Sequence, residues 1–282
     1  MNLAQALRIS SITLGTKGLE DNYHEARILL QHVANLSASE LHASPEQLLT
    51  QDEIMHLQKL LERRLCHEPN AYLVGHKEFY GIGFYVDHRV LIPRPETEIL
   101  VEEALMFANN YSTRPLLIAD IGTGCGAIAV SLALNLPQSK VYATDISSTA
   151  LEVARLNCDR HNVIGRVLLL QGNLLEPLPE PVDLLIGNLP YVKSVDLPGL
   201  SPEITNFEPQ LALDGGHDGL QHIRSLIVQA KGKVHPNGCI LLEIGNKQDN
   251  DMLALAKCYL PKAHCELVPD LNGINRVVKI TL

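Results

Sequence analysis

Tryptophan is absent from this chain, and aromatic residues of all kinds make up 4% of its 282 residues. Its core must therefore be packed mainly by Leu, Ile and Val rather than by rings. No apolar run approaches the length needed to cross a bilayer. The opening residues MNLAQALRIS also lack a basic segment followed by an apolar core, so neither a membrane partner nor a secretory leader is expected. A cytoplasmic location is the default expectation. The six cysteines, Cys66, Cys125, Cys158, Cys239, Cys258 and Cys265, form no C-x-x-C pair, which argues against a disulfide framework or a zinc site. Positive charge is also thin: the longest basic run is Arg63-Arg64 and the formal net charge is −9. A long nucleic acid is gripped largely through phosphate neutralisation, so direct nucleic-acid binding is not expected.

Apolar residues make up 46% of the chain and charged residues 20%, enough to bury one large core or two modest ones. The first seventy or so residues read as helices. NYHEARILLQHVAN puts Ala26, Leu29, Leu30 and Val33 at helical spacing, with Asn22 as the expected N-cap. SPEQLLTQDEIMHLQKLLERRLCHEP offers Ser44 as a cap, Pro45 at the first helical position and a second capping site near Thr50. Leu57, Leu60, Leu61 and Leu65 then form one stripe. From Lys77 the period changes: KEFYGIGFYVDHRVLIP carries two short aromatic and β-branched runs about Gly81-Ile82-Gly83, a hairpin signal. Pro93 and Pro95 interrupt regular structure before a helix over 96–105. The expected division is a helical domain over 1–75, a hairpin linker over 76–98 and a third region over 99–282.

The third region alternates strand and helix. Strands are expected at 116–120, 140–145, 167–172, 183–188, 239–245, 264–270 and 276–282, with helical segments between the first five. Such alternation implies a largely parallel sheet covered on both faces, and the closing pair implies an antiparallel addition at its edge.

Two stretches carry chemistry. LLIADIGTGCGAIAV reads as strand, glycine-rich turn and helix start, in which Gly122, Gly124 and Gly126 let the backbone approach a ligand. Gly122, Gly124 and Ala127 loosely satisfy the dinucleotide fingerprint, which alone is weak. Asp120, two residues before the first glycine, is positioned to face a ligand's cationic amine, and Asp145, ending the second strand, to accept from ribose hydroxyls. Asp120 tilts the reading toward S-adenosylmethionine over NAD. Asn173, at the end of the third strand, lies where an adenine edge would reach. The second stretch is LLIGNLPYV, in which Asn188, Leu189, Pro190 and Tyr191 follow a buried strand and should face the same crevice. A planar amide nitrogen is a poor nucleophile because its lone pair is delocalised. A site that methylates it must hold both N–H groups and aim the nitrogen. Asn188 Oδ1 can accept one N–H, the carbonyl of Leu189 the other, and Tyr191 can stack on the flat group.

Taken with VLIPRPETE, GTGCGAIAV, FEPQLALDGGHDGL and LLEIG, the tetrad makes nearly the whole chain resemble the HemK/PrmC family, the glutamine methyltransferases that modify peptide chain release factors. The resemblance implies a Rossmann-like class I methyltransferase with a seven-stranded, mostly parallel sheet, a small N-terminal helical domain that helps bind the release factor, and a β-hairpin linker. It implies that S-adenosyl-L-methionine is bound by Gly122, Thr123, Gly124, Cys125, Gly126 and Asp145, and Asp120, Ile146, Asn173, Leu174 and Asn188 are expected at the same donor site. It also implies that Asn188, Leu189, Pro190 and Tyr191 act on the glutamine of a Gly-Gly-Gln motif. Two positions depart from the family pattern: Leu189 stands where proline is usual, and Asn173 where aspartate is usual.

Three other readings stay open on the sequence: an N6-adenine or N4-cytosine methyltransferase using the same tetrad, a non-catalytic module that binds donor or partner without turnover, and, more remotely, a nicotinamide oxidoreductase. The acidic balance speaks against the first, and only Leu189 and Asn173 support the second. The third leaves the tetrad unexplained.

Overall fold

The computed structural model describes residues 1–17, 21–110 and 114–282. The chain divides into two compact units, Met1–His76 with Ser201–Phe207, and Lys77–Leu200 with Glu208–Leu282.

The first unit is helical: α1 (Leu3–Gly15), α2 (Asn22–Ala34), α3 (Ala38–Ala43), α4 (Gln51–Leu65) and α5 (Asn70–Val74). Leu14, Leu29, Leu30, Leu57 and Leu60 form its core, as the leucine stripes require. Two expected caps shift. The N-cap of α2 is Asp21, and Asn22 is already helical. No helix starts at Ser44-Pro45, because residues 47–49 pair with the chain start instead: Leu3 N donates to Gln47 O at 3.0 Å and Leu49 N to Met1 O at 3.1 Å. That pairing buries Leu49. Helix α4 begins instead after Thr50, whose hydroxyl accepts from Glu53 N while Glu53 Oε2 accepts from Thr50 N at 2.7 Å, a reciprocal cap that outcompetes a lone serine. Arg64 of α4 is almost fully buried and paired with Glu25 and Glu203.

The second unit opens with the hairpin β1 (Lys77–Phe79) and β2 (Ile82–Phe84). Its turn is Tyr80-Gly81, both at positive φ (53° and 70°), one residue earlier than the Gly-Ile-Gly signal suggests. Two left-handed residues match the twist of the strands, and Gly81 adopts that conformation without steric cost. A short 3₁₀ turn, Pro95–Thr97, leads into α6 (Glu98–Asn110). Then follow β3 (Leu117–Ile121), α7 (Ala127–Asn135), β4 (Lys140–Asp145), α8 (Ser148–Arg160), β5 (Val167–Gln171) and β6 (Val182–Gly187). The chain closes with α9 (Pro202–Phe207, in the first unit), α10 (Gln221–Ala230), β7 (Val234–Glu243), α11 (Asp249–Tyr259), β8 (His264–Pro269) and β9 (Asn275–Thr281).

The seven strands lie in the order β5-β4-β3-β6-β7-β9-β8. The first five are parallel, and β9 runs antiparallel to both β7 and β8. This is the doubly wound architecture expected from the alternation. Strand β7 starts five residues earlier than expected, through a register shift between Val182 and Leu184 of β6. The strand order reverses beside β3: the chain runs outward from β3 to β5, then returns to β6 on the other side. Such a switch point leaves a crevice beyond the strand ends, where ligands of open α/β sheets bind. Strand β6 is buried along its whole length, so the residues that follow it emerge from a rigid support.

Candidate active site

The carboxyl ends of β3, β4, β5 and β6 surround a cleft lined by Gly122, Gly124, Asp145, Ile146, Asn173, Leu174, Asn188, Leu189 and Pro190 among others. Nine of the fourteen residues expected to act on donor or substrate therefore line one cleft. The other five, Asp120, Thr123, Cys125, Gly126 and Tyr191, do not line it.

The glycine turn explains four of those five. Gly122 N and Thr123 N both donate to Thr144 O at 2.9 Å, Gly124 N donates to Asp145 Oδ2 at 2.9 Å, and Gly126 N donates to Thr123 O at 2.8 Å. All three glycines have positive φ. A β-carbon on Gly122 would sit 3.2 Å from Leu189 Cδ2, whereas one on Gly124 would meet nothing within 4 Å, so Gly124 opens toward free space. Asp120 is buried beneath the turn. Its Oδ2 accepts from Thr123 Oγ1 at 2.6 Å and from Ala129 N at 3.1 Å, and its Oδ1 has no partner among the described residues. Burial pushes this carboxyl up to about 7. It holds the turn onto the first turn of α7 and has no surface facing the cleft.

These bonds test which cofactor fits. A pyrophosphate needs free turn amides and the N-terminus of the following helix. Here the amides of Gly122, Thr123, Gly124 and Gly126 are spent within the protein, and a carboxylate oxygen already sits at the N-terminus of α7. A compound that carries positive charge and a nucleoside fits better. Asp145 ends β4 in the cleft, its Oδ1 holding Ser147 N at 2.9 Å and its pKa raised by burial. Asn173 donates to Glu176 Oε1 at 3.1 Å, between Leu174 and Gly172 of the lining. Arg89 is the one Lys or Arg side chain of the lining, and it is paired with Asp87 at 2.6 Å and with Glu152 at 2.9 Å.

The tetrad is held by residues far away in sequence. Asn188 Nδ2 donates to Thr97 Oγ1 at 3.0 Å, and Thr97 Oγ1 donates to Glu243 Oε2 at 2.6 Å. Tyr191 OH donates to Glu243 Oε1 at 3.2 Å, and Tyr191 O accepts from Gln248 Nε2 at 3.1 Å. The chain beyond pairs with the DGG segment: Val192 N donates to Leu213 O at 3.1 Å and Gly215 N to Val192 O at 2.7 Å. A β-carbon on Gly215 would lie 2.8 Å from Pro190 O, so glycine is required for that approach. Tyr191 therefore turns its hydroxyl back onto a buried carboxylate, which fixes the half-buried ring beside the cleft. Leu189 is buried, packed over Gly122 and within the main core. Glu208 of the FEPQ segment accepts from Ile92 N at 3.2 Å and pairs with Arg94. Two of the sequence motifs are thereby fastened together where Leu91 and Pro209 line the cleft.

Comparison with known proteins agrees with this geometry. The model of the PrmC N-terminal domain matches residues 5–75, and that of the methyltransferase small domain matches residues 97–199. A release factor glutamine methyltransferase of Moorella thermoacetica is 40% identical over 280 residues, covering 98% of this chain and 97% of that protein. The chain belongs to the release factor glutamine methyltransferase family. A second family member, from Geobacter sulfurreducens, is 37% identical over 94% of this chain and 91% of its own. The chain also matches a bifunctional methyltransferase of Rickettsia bellii at 37% identity, but spans only about half of that protein (52%). Among solved structures, the hMettl16 catalytic domain superposes with a TM-score of 0.58 at 15% identity, over 82% of each chain, a likeness of fold.

Sequence reasoning assigned no role to Thr97, Glu243 or Gln248, although VLIPRPETE and LLEIG contain the first two. A usable signal was present: Glu243 is a lone acid in the apolar strand CILLEIG, and such a residue must find partners. Among the described residues no group of three or more His, Cys, Asp and Glu could hold a metal ion, and no helix is long and apolar enough to cross a membrane.

Proposed function

We propose that this chain transfers a methyl group from S-adenosyl-L-methionine to the side-chain amide nitrogen of the glutamine in the Gly-Gly-Gln motif of peptide chain release factors, in the cytoplasm. The observation that carries this reading is the amide-holding tetrad at the end of β6, opening on the same cleft as the glycine turn, in a chain alike over its full length to proteins named for that activity. Residues 1–75 serve as the release-factor recognition domain, 76–98 as the linker and 99–282 as the methyltransferase domain, a division supported by where the two family models match.

When bound, the donor supplies an electrophilic methyl carried on a sulfonium. The chain's own residues do the rest. Asp145 would accept from the donor's ribose, Asn173 and Leu174 would frame its base, and Gly124 leaves room for the donor to approach the backbone. Asn188 Oδ1 and the Leu189 carbonyl accept the two N–H groups of the substrate amide, so that the nitrogen is presented face-on to the methyl. Fixed dipoles of this kind contribute most when they need no reorganisation during the reaction. The nitrogen so held would take the methyl, and its surplus amide proton would leave to water, with no base required of the chain. Apolar lining from Pro190, Pro209 and Leu211 limits competing solvent.

The test is mass spectrometry of purified release factor incubated with the protein and donor, beside a nucleic-acid control. One methyl on the Gly-Gly-Gln glutamine and none on nucleic acid is expected. Methylated nucleic acid with unmodified release factor would overturn the reading in favour of the amino-methyltransferase alternative.

A further inference from the structure

The Thr97–Glu243 pair reaches the tetrad from elements 91 and 55 residues away in sequence, and both side chains are buried, at 5% and 2% exposure. A buried carboxylate is retained at a cost, so its partners are informative. Glu243 receives two hydroxyls, one from Thr97 and one from Tyr191. A carboxylate only accepts, so the Thr97 proton is committed to Glu243. The Thr97 oxygen can then only accept from Asn188, which forces the NH₂ side of that carboxamide toward Thr97. The oxygen side is turned the other way and takes no hydrogen bond from the described residues.

We propose that Thr97 and Glu243 are positioning residues for the methyl transfer: through a one-way hydrogen-bond chain they fix which face of the Asn188 carboxamide meets the substrate amide. The inference rests on the amide-methylation reading above. A carboxamide free to rotate would present NH₂ to the substrate's own NH₂ in part of its population, a donor facing a donor. The chain removes that state before the substrate arrives. Glu243 also holds the Tyr191 hydroxyl, so one carboxylate orders both ends of the tetrad.

The groups that face Glu243 come from three directions. Thr97 and Glu96 belong to the turn before α6, Tyr191 follows β6, and Arg276 lies on β9. Burial, which outweighs the two hydroxyls and Arg276, pushes Glu243 up to about 7. Protonation there would give the carboxyl a proton to donate and would release Thr97 from its committed direction. Turnover should therefore rise with pH through about 7, and that limb should belong to Glu243 rather than to Asp120.

The experiment compares Thr97→Val, Thr97→Ser and Glu243→Gln with the wild-type chain on release factor, measuring kcat, donor affinity by calorimetry and melting temperature. Thr97→Val should lower kcat by about tenfold or more, the scale of one lost buried hydrogen bond, with donor affinity changed by less than about twofold. Thr97→Ser, which restores the hydroxyl, should return kcat to within about threefold of wild type. Glu243→Gln should lower kcat similarly and erase the acid limb of its pH profile. Wild-type kcat in Thr97→Val, a serine variant no better than valine, or a persisting acid limb in Glu243→Gln would each overturn the proposal. A wild-type chain that left release factor unmethylated would instead refute the amide-methylation reading itself.

Discussion

The cleft has two ends that are built in opposite ways. At the donor end, strand, turn and helix follow one another within Leu117–Asn135, and the glycine turn holds itself by its own backbone bonds, Thr144 and the carboxylates Asp120 and Asp145. At the amide end the tetrad has almost no local support. It is held by Thr97, Glu243, Gln248 and the 213–215 segment, contributed by four separate parts of the chain. A donor is a fixed small molecule, and a self-contained turn suffices to receive it. On the proposed reading, orienting a flat, weakly nucleophilic amide requires fixed directions, and buried side chains with one-way hydrogen bonding would set them.

The two ends meet where Leu189 lies over Gly122, and the largest effect on the comparison is expected there. Gly122→Ala places a β-carbon 3.2 Å from Leu189 Cδ2 at a φ of +70°. A left-handed alanine costs about 1–2 kcal/mol before any crowding. Donor affinity and turnover should both fall by about tenfold or more, read by calorimetry and initial rates. A loss confined to one of them would show that the ends do not communicate through this contact. Asp145→Ala acts on the donor end alone. Loss of its bonds to Gly124 and to the ligand should weaken donor binding by about 10- to 100-fold, the span of a charge-assisted hydrogen bond, with little change in kcat at saturating donor. Unchanged affinity would remove Asp145 from the donor site.

A smaller effect, on stability, marks the amide end. The Glu243 carboxyl is held at about 7 in the fold against an ordinary 4.5. Between those values the folded chain binds the proton that the unfolded chain has lost. Glu243's contribution to stability is therefore greatest at low pH and declines as pH rises through about 7. Glu243→Gln removes the charge, so the variant should be more stable than wild type at pH 8, by at most about 3 kcal/mol. The gap should close toward pH 5, as followed by chemical denaturation. A gap that did not vary with pH would contradict a strained, buried carboxylate. An activity loss joined to a stability gain is the mark of a group kept for positioning.

The same contrast explains what could be read from the sequence. The sheet was legible because β3 to β6 are apolar runs, the first three separated by α7 and α8, and their boundaries fell within a residue or so of those expected. The helical segment expected over 175–181 is instead a run of turns, because Pro177, Pro179 and Pro181 deny a helix its backbone donors. The glycine turn was legible because all its parts are neighbours. The role of Asp120 was read less well: its position at a strand end suggested a ligand contact, but a carboxylate two residues before a tight turn also serves to hold that turn, and here both described bonds do so. Tyr191 was expected to stack on the substrate amide, and the structure adds that its hydroxyl is held by Glu243, a partner 52 residues away that no local pattern announces. Leu189 raised a question about lost proline rigidity. The structure adds that its side chain belongs to the core and meets Gly122. In the helical unit, Ser44 gave a cap signal as good as that of Thr50, and pairing with the chain start decided between them.

On the proposed function, donor binding and amide orientation are separable tasks, with Asn188 at the heart of the second. The most direct test of that separation is Asn188→Ala, measured on one preparation for donor affinity by calorimetry and for methyl transfer to release factor by mass spectrometry. Affinity should stay within about threefold of wild type while transfer falls by about 100-fold or more, the scale of a removed transition-state dipole. Near wild-type transfer, or a loss of transfer fully accounted for by lost donor binding, would contradict it.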